Sequence, residues 1–382
     1  MANNNRIVLI DALRGLALAG ILLLHHIEHF DFYQKPIYNI PWLIRIDRWV
    51  WDNLFLLVSG KAFALFSLLF GLSYWIIHEN RVAKGETYFL RHFWRMFILI
   101  ILGIFHLVFF RGDILIMYAI LGLPLVIAPY MSNRSILILS IVLLINPVNI
   151  YTFGSYLINN SVIDFRLPYP KVNINEFLVD GSFLEVLKIN LTSGYEGSIV
   201  WSWNVGRIFA IPGLFFLGVY FSKTKMLTDK PLRFWYHFLV LTFMLCLVFD
   251  VIGDVWVQHI ENKLHLGIFK PIIDGYFKLV MMFFMLSLIV IIWRHNNGKV
   301  WAAKFSDFGR MGLTNYILMS IIGAILYYGW GAGLYKYCGS FTTFLIGILA
   351  LIFQMKFSSW WLEKYEQGPL EKIWRKITWI KM

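Results

Sequence analysis

The tightest constraint on this chain is the set of charges inside its first apolar stretch. That stretch begins Ile7-Val8-Leu9-Ile10-Asp11-Ala12-Leu13-Arg14-Gly15 and runs through Leu22-Leu23-Leu24 to His25-His26-Ile27-Glu28-His29. Roughly 20 apolar residues, at about 1.5 Å rise each, cross the hydrocarbon of a bilayer. Asp11 and Arg14 therefore ride in a spanning helix. There an ionisable side chain costs roughly 2.5 to 3.5 kcal/mol on insertion scales and normally turns toward protein or a wet cavity. Being three residues apart, the two can pair on one face, which lowers the cost of both. His25 follows Arg14 by eleven residues, about 1100° of helical rotation, so the two side chains share a face to within about 20°. Their axial separation is about 16 Å, which places the ion pair near one side of the membrane and the histidines near the other. The apolar core is broken by Asp11 and Arg14, and no small-x-small site follows Leu24, so a retained first span is expected rather than a cleaved signal.

Composition sets the class. The 382 residues are 59% hydrophobic and 15% charged, against about 25% charged in soluble domains, which leaves no room for a sizeable soluble domain. An open sheet edge cannot satisfy its backbone in lipid. The expected fold is therefore an all-α, polytopic integral membrane helix bundle. A net charge of +12 superficially suits nucleic acid, but membrane proteins gather Lys and Arg on their cytoplasmic side in any case; no nucleic-acid partner is expected. Cys246 and Cys338 form no spacing motif and read as packing residues.

Apolar runs bounded by basic clusters predict about ten spans, near 7–29, 51–78, 94–111, 114–131, 134–151, 200–222, 234–256, 272–293, 312–333 and 340–362. The chain then divides into helices 1–5 (1–151), an extracytoplasmic loop (152–199) and helices 6–10 (200–382). With both termini in the cytoplasm, about 20 basic residues fall inside against about 10 outside, the bias the positive-inside rule expects. Pro41–Trp51 alternates Trp, Leu and Ile with Arg45, Asp47 and Arg48 and reads as an interfacial segment. The polar, Pro- and Gly-broken 152–199 stretch is expected to cover the external mouth.

Several charged residues invite both a functional and a plain reading. Asp11 and Arg14 suit a site or a structural tie; His25 suits a base or an interfacial histidine. Glu28, one turn after His25, suits a carboxylate that orients its ring or a solvated helix end. His25-His26-Ile27-Glu28-His29 also matches the H-x-x-E-H pattern of zinc hydrolases, without a dedicated third ligand, so no metal is expected. Lys61, His106, Asp113, Arg207, Asp250, Asp254, Asp274 and Lys278 fall mostly in the predicted outer half. That shared level suits a polar vestibule better than scattered compensated charges.

Leu9-Ile10-Asp11-Ala12-Leu13-Arg14-Gly15-Leu16-Ala17 resembles the opening helix of YeiB-like bacterial membrane proteins, of the lysosomal heparan-glucosaminide acetyltransferase and, more loosely, of the acyltransferase-3 enzymes. The Arg-x10-His spacing from Arg14 to His25 is similar to the acyltransferase-3 pattern, whose histidine is regarded as catalytic. Gly60-Lys61 with Leu65–Gly71, Gly103-Ile104-Phe105-His106, Gly112–Leu115 and Tyr118-Ala119 resemble later helices of the YeiB-like group. Gly309–Tyr316, Tyr328–Gly331, Gly368–Glu371 and Trp374-Arg375 resemble its C-terminal domain of unknown function.

This resemblance implies a transmembrane acyltransferase of the bacterial cytoplasmic (inner) membrane, multi-pass and in contact with membrane lipids. Acyl-CoA, in the simplest case acetyl-CoA, would enter from the cytoplasm as co-substrate, and a glycan or lipid-linked sugar would accept the acyl group outside. His25 would act as base or acyl carrier, Glu28 would hold its tautomer, and Arg14 with Asp11 would steer a CoA phosphate. Asn315 would donate to the developing oxyanion, and Lys61, His106, Asp113, Tyr118 and Arg207 would line the pocket. A homodimer is left open. The rival from another class is a transporter or flippase with a charged intramembrane path; a zinc-dependent membrane hydrolase is the lesser alternative.

Overall fold

In the computed structural model, described over residues 8–159, 165–259 and 263–379, every regular element is helical. Residues 1–7 and 380–382, at the termini assigned above to the cytoplasm, lie outside the described residues, as do 160–164 of the predicted loop. The first half contains α1 (Val8–Ile27), α2 (Pro41–Leu57), α3 (Lys61–Val82), α4 (Phe89–Leu107), α5 (Leu115–Gly122), α6 (Asn133–Leu144) and α7 (Pro147–Asn159). Four short helices and a long one follow: α8 (Ile174–Asp180), α9 (Phe183–Ile189), α10 (Tyr195–Asn204), α11 (Arg207–Lys223) and α12 (Met226–Asp229). The chain closes with α13 (Leu232–His259), α14 (Lys263–Arg294), α15 (Asn296–Arg310), α16 (Gly312–Tyr327), α17 (Ser340–Lys364) and α18 (Pro369–Thr378).

Polarity is inverted relative to a water-soluble protein. α13 turns Val240, Leu241, Met244 and Val251 outward, and α17 does the same with Leu345, Leu349 and Phe353, while Asp11, His26, His106 and Asp113 are buried. Apolar surface on this scale is stable only against lipid or another protein.

Among the described residues, six helical segments are long and apolar enough to cross a membrane: Val8–Ile27, Pro41–Val82, Phe89–Leu107, Leu232–Val255, Phe269–Arg294 and Ser340–Lys364. Three further apolar stretches are bent pairs. Asn133–Leu144 meets Pro147–Ser155 at 51°, Phe183–Asn204 meets Arg207–Lys223 at 71°, and Gly298–Arg310 meets Gly312–Tyr327 at 75°. Against the expectation of about ten spans, the described residues hold six, or nine if each bent pair crosses once, plus the shorter Leu115–Tyr130. Two of the three breaks have a local cause. Asn146 takes a left-handed φ of 58° immediately before Pro147, which cannot continue the ladder. Gly206 sits at φ 75°, where a β-carbon would also run into the Asn146 side chain. The stretch 152–199, expected as loop, carries the end of α7, α8, α9 and the start of α10. The Pro41–Trp51 segment is the start of α2, which buries only Val50.

Two close crossings hold the centre. At α1 and α15, a β-carbon on Gly15 would lie 2.0 Å from the Phe305 carbonyl oxygen, and one on Gly309 would lie 2.0 Å from that of Asp11. At α3 and α11, Gly71 faces the Phe215 carbonyl and Gly218 the Leu68 carbonyl in the same way. Small residues on both partners let backbones touch, which is how helices associate tightly in lipid. Both crossings join the first part of the chain to the second, so the interior is assembled from distant segments.

Gly71→Ala should therefore cost roughly 1–3 kcal/mol through overpacking. Gly275→Ala, with open space around the added carbon, should be neutral or gain up to about 1 kcal/mol in helix propensity. Unfolding of both variants in one detergent checks this, and equal stability would contradict the α3–α11 approach.

Candidate functional site

A cavity of about 800 Å³ runs through the bundle, and both Arg14 and His25 line it. α3 lies antiparallel to α1, with Gly20 opposite Val58 and Ala62 and Arg14 opposite Ser73. Phe63, Phe66 and Phe70 line the wall between the two ends. The cavity thus has two polar mouths and an apolar waist.

At one end, His25 Nδ1 lies 3.2 Å from Glu28 Oε2, and the Phe110 ring packs edge-on 4.9 Å from the imidazole. If Nδ1 carries the hydrogen, it donates to the carboxylate, and Nε2 is left as an open lone pair. Nε2 makes no hydrogen bond among the described residues, and His25 keeps 19% of its side chain accessible, on the cavity wall. Beyond α1 the chain turns sharply: His29, Phe30, Asp31 and Tyr33 all have φ between 51° and 68°. Such left-handed backbone is costly for bulky residues and persists only where the surroundings enforce it. The turn delivers Asp31 to Arg111, whose Nε donates to Asp31 Oδ2 at 2.7 Å and whose second nitrogen donates to the Asp31 carbonyl at 2.6 Å. Arg207 completes this end, lying over the rings of Phe63 and Trp201 at 4.2 Å from each centroid.

At the other end, Arg14 donates to Asp11 Oδ1 at 2.6 Å and to Ser73 Oγ at 2.5 Å. The Ser73 hydroxyl in turn donates to the Leu69 carbonyl. Arg95, Arg310, Glu371 and Trp374 share this mouth. Glu371 accepts from the Leu313 and Thr314 amides at 2.8 and 3.0 Å and from the Thr314 hydroxyl at 2.5 Å. A carboxylate there caps α16 and complements its dipole. Burial lifts the Glu371 carboxyl above the ordinary range, and these hydrogen bonds pull it part of the way back.

The structure gathers some expected residues at the cavity and sets others apart. Asp11, Arg14, His25, Glu28, Asp113, Tyr118 and Arg207 are at the cavity or, for Asp11, one hydrogen bond behind it. The Tyr118 hydroxyl and Ser67 Oγ are 2.6 Å apart. His106 is fully buried behind the wall, with Nδ1 2.8 Å from Asp113 Oδ1 and Nε2 2.7 Å from Ser320 Oγ. Asp113 Oδ2 meanwhile accepts the Ile116 amide. Every polar atom of that His106–Asp113 pair is satisfied internally, as a structural tie requires. Lys61 lies off the cavity, its Nζ 3.4 Å from the Phe55 carbonyl. Asn315 also lies off it: its amide nitrogen donates to the Phe308 carbonyl and to Ser358 Oγ, at 3.0 and 2.9 Å, leaving no N–H for an oxyanion. The H-x-x-E-H histidines diverge. His26 Nδ1 meets the Tyr327 hydroxyl at 2.7 Å, His29 Nε2 the Cys338 carbonyl at 3.0 Å, and His25 the cavity. Among the described residues no three His, Cys, Asp or Glu side chains are placed to hold a metal ion. Sequence reasoning missed Ser73 and Glu371, because neither carries a local signal: a lone serine in an apolar run and a glutamate beyond the last span gain their roles from helices far away in the chain.

Fold and site together define a helix-bundle membrane protein with an internal cavity and paired charges along its walls. Within that class the chain is similar to YeiB-type proteins over its whole length. Residues 221–381 match the family described as "Protein of unknown function (DUF418)". The whole chain is 26% identical to YxaH of Bacillus subtilis, covering 99% of this chain and 95% of that protein. It is 24% identical to YeiB of Escherichia coli, covering 98% and 96%. A 39.9 kDa protein from the amylase 3' region of Bacillus acidopullulyticus is 23% identical, covering 99% and 95%. No solved structure is a significant match. The names of these relatives state no activity.

If the His106–Asp113–Ser320 chain is a tie, Asp113→Asn and Ser320→Ala should each lower stability by roughly 1–3 kcal/mol, the cost of an unsatisfied buried partner. Thermal unfolding in detergent measures it; full stability of both variants would remove the structural role.

Proposed function

We propose that this protein is an acyltransferase of the bacterial cytoplasmic membrane. In this reading it moves an acyl group, in the simplest case acetyl, from cytoplasmic acyl-CoA to an extracytoplasmic glycan or lipid-linked acceptor. The observation that carries the reading is the His25–Glu28 pair: an imidazole with an open Nε2, oriented by a carboxylate, on the wall of the same cavity that Arg14 lines. The Arg14 mouth is the cytoplasmic one on this reading. Arg81, Arg95 and Arg310 cluster there with α18, the first two over Trp379 and Trp374 and the third donating to the Glu366 carbonyl, and basic residues concentrate on the inner side.

Acyl-CoA would rest its phosphates against this basic mouth and thread its thioester arm along the phenylalanine-lined waist. At the far end Nε2 of His25 takes the proton from the acceptor hydroxyl or amine as that atom attacks the thioester carbonyl. The carbon–sulfur bond breaks, and the thiolate leaving group takes that proton from His25 to become free CoA, which restores the neutral imidazole. Glu28 holds the ring in the tautomer that keeps Nε2 unprotonated. Arg14, fixed by Asp11 and Ser73, steers an anionic group of the donor. The bent α6–α7, α10–α11 and α15–α16 pairs favour one rival, a transporter or flippase, since broken helices commonly surround transport paths. That rival moves its substrate unchanged, without thiol release.

Purified protein with acetyl-CoA should release free thiol when a crude lipid-linked acceptor fraction is added, and acetyl-CoA should raise its thermal midpoint. His25→Ala should cut thiol release by about 100-fold or more, the scale of a lost general base, while the acetyl-CoA-dependent thermal shift persists. Thiol release at the wild-type rate would remove His25 from the mechanism.

A further inference from the structure

Among the described residues that line the His25 end of the cavity, Arg207 is a cation with no ion pair or side-chain hydrogen bond. It opens α11, immediately after the Gly206 bend, and it is enclosed by protein with its remaining surface on the cavity wall. Among the described residues its contacts are the two aromatic rings of Phe63 and Trp201. Aromatic faces attract a guanidinium but accept none of its in-plane hydrogen bonds. The other charges at this end are committed: Glu28 to His25 and Arg111 to Asp31. Glu28 lies within electrostatic range of Arg207, yet beyond ion-pair distance. A half-buried guanidinium whose in-plane donors meet no acceptor is costly, and that cost is returned when an oxyanion arrives.

We infer that Arg207 is an oxyanion-binding subsite and that the acceptor is consequently an acidic molecule. Such an acceptor carries a carboxylate or phosphate ester beside the hydroxyl or amine that receives the acyl group. The assignment to the acceptor, rather than to the donor, rests on the acyl-transfer reading above; the oxyanion subsite does not. Three features support it. The rings of Phe63 and Trp201 hold the guanidinium while its planar fork of donors stays available, the geometry that suits bidentate carboxylate or phosphate. The α11 N-terminus adds the positive end of a 17-residue helix dipole at the same point. Arg207 and the His25–Glu28 pair line the same cavity, with Glu28 within electrostatic range of the guanidinium. An acceptor anchored by its anion on Arg207 thus presents its neighbouring hydroxyl or amine toward His25, opposite the basic mouth that would hold the donor phosphates.

The test is direct binding to the full-length protein in nanodiscs of neutral lipid, with no acyl donor present. The probes are octyl glucuronide, dihexanoyl phosphatidylglycerol and the neutral octyl glucoside. At least one of the two anions should bind the wild-type protein about tenfold or more tightly than octyl glucoside, as a charge-assisted hydrogen bond allows, and which one does so separates a carboxylate from a phosphodiester. Arg207→Gln should bring the preference close to one. Equal binding of all three probes by the wild-type protein overturns the subsite without any variant, and so does an undiminished preference in Arg207→Gln. Saturating acetyl-CoA should leave the preferred anion bound. Displacement would give the subsite to the donor and overturn the acidic acceptor. If acetyl-CoA does not bind at all, the acyl-transfer reading and the acceptor assignment fall together, and the oxyanion subsite stands or falls on the first comparison.

Discussion

Everything in the interior depends on how α1 disposes of its charges. In an apolar helix a carboxylate and a guanidinium three residues apart neutralise one another, but each still needs further hydrogen bonds in a low-dielectric surrounding. Arg14 obtains one from Ser73 on α3. The neighbouring residue, Gly15, presses its bare α-carbon against the Phe305 carbonyl of α15. Successive helical residues point about 100° apart, so one face of α1 is fixed by backbone contact and the adjoining one by the ion pair. The helix cannot rotate. His25, three turns along the Arg14 face, is thereby held on the cavity wall, and Glu28 follows it by one turn.

This part of the fold was legible in the sequence because helical register is local: spacing alone places Arg14 and His25 on one face, and both line the cavity. Where a side chain goes once it leaves the helix surface depends on partners far away in the chain. Lys61 and Asn315 looked like pocket residues by charge and motif, yet Lys61 turns to the Phe55 carbonyl and Asn315 is consumed tying α16 to Ser358 of α17. The bends divide the same way. Asn146-Pro147 and Gly206 are punctuation that a reader can see, although an apolar run that resumes beyond them still reads as one span. Met311, between α15 and α16, carries no such mark. The left-handed turn at His29–Tyr33 is the least legible feature, because it contains no glycine or asparagine. It is enforced by Arg111 holding Asp31 and by Tyr328 donating to the Phe30 carbonyl.

The two crossings at Gly15–Gly309 and Gly71–Gly218 explain why the cavity draws its walls from both halves of the chain. Helices that touch backbone to backbone bring their flanking side chains within reach of a third helix. α3 therefore supplies Phe63, Phe66, Phe70 and Ser73 to a space whose other walls include α1, α4, α5, α10 and α16, with Arg207 from α11. Charged groups gather only at its two mouths, where the lining turns from aromatic to polar.

That distribution bears on what can pass. A charged substrate moving whole through the phenylalanine-lined waist would shed its hydration against rings that return little of it. A molecule charged at one end, with a long, weakly polar arm, meets no such barrier. On the acyl-transfer reading its anions would stay at the Arg14 mouth, while the arm would lie along Phe63, Phe66 and Phe70 and its tip would reach the imidazole about 16 Å away, eleven residues along one helix. A second, separately charged molecule can then occupy the opposite mouth without crossing the waist. On the acyl-transfer reading, one apolar neck between two charged vestibules keeps donor and acceptor on their own sides of the membrane while their reactive ends meet.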